Sequence, residues 1–307
     1  MKKVFITHRL PDVARTLLEP HFEVRGNPDN KALSEEELKE VVATNDIILA
    51  TVLNKITKDV LIEANGLEVI SNYAAGLDNI DLKYAEERGI AVYNTPGIVT
   101  SSTADLTMAL FLTLARRVPE ATSFVKSGEW KCWDPEILLG DELEGKKFGI
   151  IGMGRIGQAV AKRAQGFGME VVYCNRSRLD IEGAEAMSLD ELLGESDYIS
   201  IHVPLTAETK GMINKETIEK MKKRPILLNM ARGGVVNTED LVDALKNGDI
   251  RAAGLDVTDP EPIHKDHELC NLENCIIVPH IGTATRECRH RMAEIAAQNI
   301  LKHYNLL

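Results

Sequence analysis

The sequence lacks any apolar run long enough to cross a bilayer. Its longest, near residues 109–115, falls far short of the roughly 20 residues a membrane helix needs. The opening MKKVFITHRLPD has neither the apolar stretch nor the cleavage site of a secretory signal. Cysteine is sparse, scattered and odd in number, five in 307 residues, which does not read as a disulfide framework. Positive charge is in deficit: the formal net charge of -11 disfavours a nucleic-acid or other polyanion binder, although a local basic pocket can still hold a phosphate. Repeats and low-complexity segments are absent. These absences lead to the expectation of a soluble cytoplasmic protein with reduced thiols, bound neither to membrane nor to nucleic acid.

What is present is enough chain for two packed domains, with 44% hydrophobic residues. Short apolar runs at residues 4–7, 47–50, 69–72 and 91–92 alternate with helical patterns near 13–18, 34–43, 58–64 and 82–88. Ser34 followed by Glu37 has the spacing of a capping box. Such βα alternation predicts a parallel sheet flanked by helices. A long helix is predicted from Thr103 to about Thr122, bent or interrupted by Pro119. A second βα series follows, with strands at 147–151, 170–174, 198–201, 225–229, 252–255 and 275–278, and a final helix at 283–304.

The fold class expected is therefore α/β, with two Rossmann-like βα domains. The nucleotide domain, 101–282, would be inserted into a discontinuous substrate domain made of 1–100 and the returning helix 283–307. A cleft between two such domains is a natural place for a reaction.

The second series opens with Gly152-Met-Gly154-Arg-Ile-Gly157, between an apolar strand and an apolar-periodic helix. That context turns a weak pattern into a dinucleotide signature. Gly152 permits a tight turn, Gly154 lets backbone approach a pyrophosphate, and Gly157 lets helix and strand pack closely. The helix N-terminus offers N–H groups to the phosphates. The acid that NAD-binding versions place after the second strand is missing; Asn175-Arg176-Ser177 stands there. Arg176 and Ser177 suit a 2′-phosphate, which favours NADP(H). Asn175 on the ribose and Arg176 stacked on adenine would equally admit NAD(H).

Three polar sites lie just beyond strands of the second series. Arg232 follows the strand 225–229 and can grip a carboxylate through two hydrogen bonds. Asp256, Asp259 and Glu261 follow the strand 252–255, and residue physics alone does not choose Glu261 over Asp259. His280 follows the strand 275–278, and histidine can donate and recover a proton near neutrality. Reduction of a ketone adds hydride to carbon and a proton to oxygen, so an acid is needed beside the cofactor. A carboxylate on the other ring nitrogen would fix the tautomer. Glycine motif, guanidinium and imidazole together point to a dinucleotide-dependent oxidoreductase acting on a small 2-hydroxy or 2-oxo acid.

Taken in order, Gly152–Gly157, His202-Val203-Pro204-Leu-Thr206, Asn229–Gly234, Gly254–Pro262 and Pro279–Gly282 resemble the D-2-hydroxyacid dehydrogenase family over nearly the whole chain. The resemblance implies that Arg232 binds the substrate carboxylate and carbonyl oxygen. It implies that His280 is the acid/base and Glu261 its partner. It places Asp256 near the nicotinamide carboxamide and Val203, Pro204 and Thr206 along the cofactor cleft. Arg155, Ile156, Met230, Ala231 and Gly282 join Gly152, Gly154, Gly157, Asn175, Arg176 and Ser177 as implied cofactor contacts. In the first domain, N–H groups at Ala75-Gly76 would help hold the substrate carboxylate. Family members usually form homodimers through the nucleotide domain.

Leu53, in Thr51-Val-Leu53-Asn-Lys55-Ile, and Trp133, in Trp130-Lys-Cys-Trp133-Asp-Pro, make the chain most similar to the glyoxylate/hydroxypyruvate reductase branch. Both residues are implied substrate contacts, Trp133 by way of a partner subunit. Phosphoglycerate dehydrogenases place an arginine in the first of these segments; Lys55 reads as a solvated lysine. That activity, another branch of the family, and a non-catalytic dinucleotide-sensing corepressor remain the alternatives. His264, His267, Cys270 and Cys275 are zinc-ligand types close in sequence, but they read as loop and strand residues, and no metal is expected.

Overall fold

The computed structural model describes residues 1–29 and 31–307. In chain order the first elements are β1 (Lys3–Ile6), α1 (Val13–Leu18), β2 (Glu23–Gly26), α2 (Glu35–Thr44), β3 (Ile47–Thr51) and α3 (Lys58–Leu61). Next come β4 (Val69–Tyr73), α4 (Leu82–Glu87), β5 (Ala91–Tyr93), α5 (Thr100–Ala115), α6 (Val118–Lys126), β6 (Lys147–Ile151) and α7 (Arg155–Gly166). The rest are β7 (Glu170–Cys174), β8 (Ala184–Ala186), α8 (Leu189–Glu195), β9 (Tyr198–Ile201), α9 (Lys215–Ile218) and β10 (Ile226–Asn229). The chain ends with α10 (Thr238–Asn247), β11 (Ala252–Leu255), β12 (Cys275–Ile277) and α11 (Arg286–His303). They form two compact units: unit 1 is Met1–Val99 with Ala284–Leu307, and unit 2 is Thr100–Thr283.

Unit 1 is a parallel sheet in the order β2-β1-β3-β4-β5. Every residue of β3 and β4 is buried. A strand covered on both faces needs apolar side chains in succession, and Ile-Ile-Leu-Ala in β3 supplies them. Ile48 and Ala50 pack with Val42, Val60 and Leu61 of the adjoining helices. The last helix, α11, packs on α1 and β4. Ser71 Oγ donates to the Ala296 carbonyl at 2.8 Å, and Tyr73 OH to that of Arg289 at 2.9 Å. Both halves of the capping box at α2 are present: Ser34 Oγ accepts from Glu37 N–H, and the Glu37 carboxylate accepts from Ser34 N–H.

Unit 2 is a seven-stranded parallel sheet in the order β12-β11-β10-β9-β6-β7-β8. The single helix expected from Thr103 to Thr122 is two helices, α5 and α6. The break falls at Arg117, which takes a left-handed conformation with φ 53°. Pro119 lies in the first turn of α6, where its missing N–H costs nothing. Phe111 of α5 sits edge-on to Phe148 and Tyr198, with ring centroids 5.2 and 4.6 Å away. Among the described residues no helix is long and apolar enough to cross a membrane.

Phe111 is fully buried, so Phe111→Ala should cost about 3–5 kcal/mol of stability. Urea unfolding monitored in unit 2 would measure this, and a loss below about 1 kcal/mol would contradict its role as a core anchor.

Candidate active site

The glycine turn lies at the carboxyl end of β6, between β9 and β7. Gly152 has φ +99°, and a Cβ there would meet the His202 carbonyl carbon at 2.8 Å. A Cβ on Gly157 would come within 2.2 Å of the Gly152 carbonyl oxygen, so β6 and α7 touch backbone to backbone. A Cβ on Gly154 would meet nothing within 4 Å. Gly154 is also the N-cap of α7 and offers no side-chain acceptor to the first-turn N–H groups of Arg155, Ile156 and Gly157. An uncapped helix start beside open space fits a pyrophosphate.

Asn175, just past β7, accepts from Met153 N–H at 3.3 Å and donates to the Ser177 carbonyl at 3.0 Å, tying the glycine turn to its neighbouring strand. Arg176 and Ser177 are exposed beyond it. On the β9 side, Val203 is half-buried while Pro204 and Thr206 are exposed. His202 donates or accepts through Nε2 to Ser200 Oγ at 2.8 Å; its Nδ1 is shut from solvent without a partner among the described residues. Burial pushes this imidazole down to about 3, so it stays neutral.

Sequence reasoning passed over Glu208. Thr206 Oγ1 donates to its carboxylate at 2.6 Å, and that bond, joined by the charge of Arg176, holds the carboxyl below its ordinary range. The signal was there in Thr206-Ala-Glu208, an acid past β9 with only β6 between that strand and the basic segment past β7.

Three loops meet beyond β10, β11 and β12. Asn229 shapes the first: its Oδ1 accepts from Ala231 N–H at 3.1 Å and its Nδ2 donates to the Arg232 carbonyl at 2.9 Å. Met230 and Ala231 are buried in this turn. A Cβ on Gly233 would fall 2.0 Å from Thr258, so glycine is what lets the Arg232 loop lie against the loop that carries Glu261.

Asp256 follows β11 and is only 3% exposed. Its carboxylate accepts from Ile281 N–H at 2.6 Å and Gly282 N–H at 2.9 Å. Burial raises this carboxyl above its ordinary value, while those N–H groups and the charge of His280 pull the other way. Expected as a cofactor contact, Asp256 devotes both oxygens to the His280 loop. Gly282 is needed there, because a Cβ would lie 2.8 Å from Asp256 Oδ2.

His280 itself has φ 51°. Its N–H donates to the Asp256 carbonyl at 3.0 Å, and its Nδ1 lies 2.7 Å from Glu261 Oε1. Of the three acids of this loop, Glu261 is the partner. Burial alone pushes the Glu261 carboxyl up, but the hydrogen bond to His280 and the charges of His280 and Arg232 outweigh it and leave it below 4.5. Arg232, Glu261 and His280 thus form one electrostatic group in unit 2, with His280 Nε2 left for another partner.

The remaining expected residues stand elsewhere. Leu53, 44% exposed, lies beyond β3 in unit 1, and half-buried Ala75 and Gly76 lie beyond β4. Trp133 is 78% exposed in the segment after α6 and takes no part in the hydrogen-bonded group. His264, His267, Cys270 and Cys275 do not converge: among the described residues no three His, Cys, Asp or Glu side chains are placed to hold a metal.

A depressed carboxyl stabilises the fold fully above its ordinary 4.5 and ceases to do so as pH falls through its folded value. Glu261→Gln should therefore lower the melting temperature at neutral pH, and the difference should close on acidification. A gap unchanged down to strongly acidic pH would contradict the pairing.

Residues 108–282 match the family described as D-isomer specific 2-hydroxyacid dehydrogenase, NAD binding domain. The chain is 47% identical over 307 residues to a glyoxylate reductase of Thermococcus litoralis, covering 97% of this chain and 92% of that one. It is 45% identical over 311 residues to a glyoxylate reductase of Thermococcus onnurineus, covering 99% and 93%. A crystal structure of a Thermus thermophilus protein superposes with a TM-score of 0.92 at 47% identity, over 99% of this chain and 97% of that one. The chain belongs to the D-2-hydroxyacid dehydrogenase family, with NAD(P)-dependent oxidoreductases of the glyoxylate reductase branch as its near relatives.

Proposed function

We propose that this chain reduces glyoxylate, hydroxypyruvate or a similarly short 2-oxo acid to the 2-hydroxy acid, with NADP(H) preferred and NAD(H) accepted. The observation that carries the proposal is the 2.7 Å contact between His280 Nδ1 and Glu261 Oε1, with the Arg232 charge beside it.

Gly152–Gly157 would hold the pyrophosphate of a nicotinamide dinucleotide, which when bound would supply hydride for C2. His280 donates a proton from Nε2 to the carbonyl oxygen, and Glu261 keeps the ring oriented for that transfer. Arg232 grips the substrate carboxylate and stabilises charge developing on the oxygen. Leu53 and the N–H groups of the Ala75-Gly76 loop in unit 1 are the further substrate contacts that the family resemblance supports. Exposed Lys55, with no ion-pair partner among the described residues, fits a solvated residue better than a phosphate anchor.

Arg176 and Ser177 support NADP(H), since both are exposed and free of an acid at position 175. The five free thiols fit a cytoplasmic setting. Val118, Val125, Trp130, Trp133 and Leu139 are exposed apolar residues on α6 and the segment after it. They fit a homodimer contact, with Trp133 reaching the partner subunit. Sedimentation should give twice the chain mass, and a monomer at micromolar concentration would contradict the dimer.

The decisive assay follows NADPH and NADH oxidation with glyoxylate, hydroxypyruvate and phosphohydroxypyruvate. The first two should turn over, faster with NADPH. His280→Ala should lower kcat about 10²–10⁴-fold while NADPH still binds. Arg232→Lys should raise KM for the oxo acid despite its retained charge. Full activity in either variant, or preference for the phosphorylated acid, would overturn the assignment.

A further inference from the structure

Five asparagines interlock at the carboxyl edge of the unit 1 sheet. Asn54 Oδ1 accepts from Thr51 N–H at 3.0 Å and from Thr7 Oγ1 at 2.5 Å. Asn79 Nδ2 donates to the carbonyls of Thr51 and Asn54 at 3.2 and 3.0 Å, and its Oδ1 accepts from Asn72 Nδ2 at 2.9 Å. Asn72 Nδ2 also donates to the Gly76 carbonyl at 3.0 Å. Asn94 Nδ2 donates to the Ala75 carbonyl at 2.7 Å. Asn299 of α11 in turn donates to the Asn94 carbonyl at 3.0 Å. Asn54 and Asn72 are buried, so the frame that fixes the loop beyond β4 is shielded from water.

The consequence follows from the planarity of the peptide. In a trans peptide the C=O of one residue and the N–H of the next point in opposite directions. Asn94 and Asn72 draw the carbonyls of Ala75 and Gly76 toward themselves. The N–H groups of Gly76 and Leu77 are therefore turned away from the frame, and neither has an acceptor among the described residues. Consecutive N–H groups left free in a fixed turn form an anion-binding concavity.

We propose that Asn94 and Asn72 are positioning residues that aim the Gly76 and Leu77 N–H groups at the substrate carboxylate. The proposal rests on the reading that this loop receives that carboxylate. It adds Leu77 N–H as a donor and gives the reason for its direction: asparagine, unlike aspartate, can donate to a carbonyl.

The test uses the full-length protein saturated with NADP⁺ and oxalate as a carboxylate probe of glyoxylate's size. Oxalate should shift the amide resonances of Gly76 and Leu77 in the native protein; no shift would overturn the underlying reading alone. With that shift established, Asn94→Asp, which keeps the shape and loses the donor, should weaken oxalate binding about tenfold or more. KM for glyoxylate should rise in parallel, with kcat less affected and NADPH affinity unchanged. Asn72→Ser provides a second variant should the first fail to fold. Asn45→Ala removes a buried amide that lies outside this frame and donates to the Val41 carbonyl, and so reports general destabilisation. Native oxalate affinity in a folded Asn94→Asp or Asn72→Ser protein, or equal weakening in Asn45→Ala, would overturn the positioning role.

Discussion

A buried carboxylate organises the loops beyond β11 and β12 of unit 2. Asp256 is desolvated just past the end of β11, and a carboxylate in that position is stable only if its oxygens are satisfied. The N–H groups of Ile281 and Gly282 satisfy them, which draws the chain after β12 into a tight bend. Bending there holds His280 at positive φ, a conformation a non-glycine residue keeps only when its surroundings impose it. The ring is thereby delivered to Glu261.

The same logic runs through the neighbouring loops. Parallel strands end together, so side chains just past them converge without sequence proximity. Gly233 closes the gap between the Arg232 loop and Thr258, and cis-proline bonds flank Glu261 on a loop pressed against it. Unit 1 solves a related problem without charge. Its carboxyl edge is fixed by amide side chains that donate to backbone carbonyls.

Much of this was legible in the residues. The glycine turn, the strands ending at Asn229 and Leu255, and the Ser34 capping box follow from local patterns that packing reinforces. Strands β2 and β8 escaped notice because Glu-Val-Arg-Gly and Ala-Glu-Ala are short, half-exposed strands without an apolar run. Position 117 looked like helix interior, since nothing local marks an arginine for the left-handed region. Choosing Glu261 over Asp259 required the loop's path, because both acids lie in one turn and only geometry puts one of them 2.7 Å from Nδ1. The asparagine frame was invisible for a different reason: its members come from β4, from the loops after β3, β4 and β5, and from α11, and no local pattern links them.

Cofactor choice shows how a missing residue and a present one act in opposite directions. The absence of an acid after β7 removes the group that would repel a 2′-phosphate, and Arg176 offers a countercharge. Yet Glu208, held by Thr206 on the far side of the glycine turn, is close enough for Arg176 to act on its carboxyl. Both groups are exposed, so water and salt screen each of them strongly. A phosphate entering this region gains the attraction of Arg176 and meets the repulsion of Glu208 together. The proposed preference for NADP(H) over NAD(H), set by such opposed and screened charges, is graded rather than absolute.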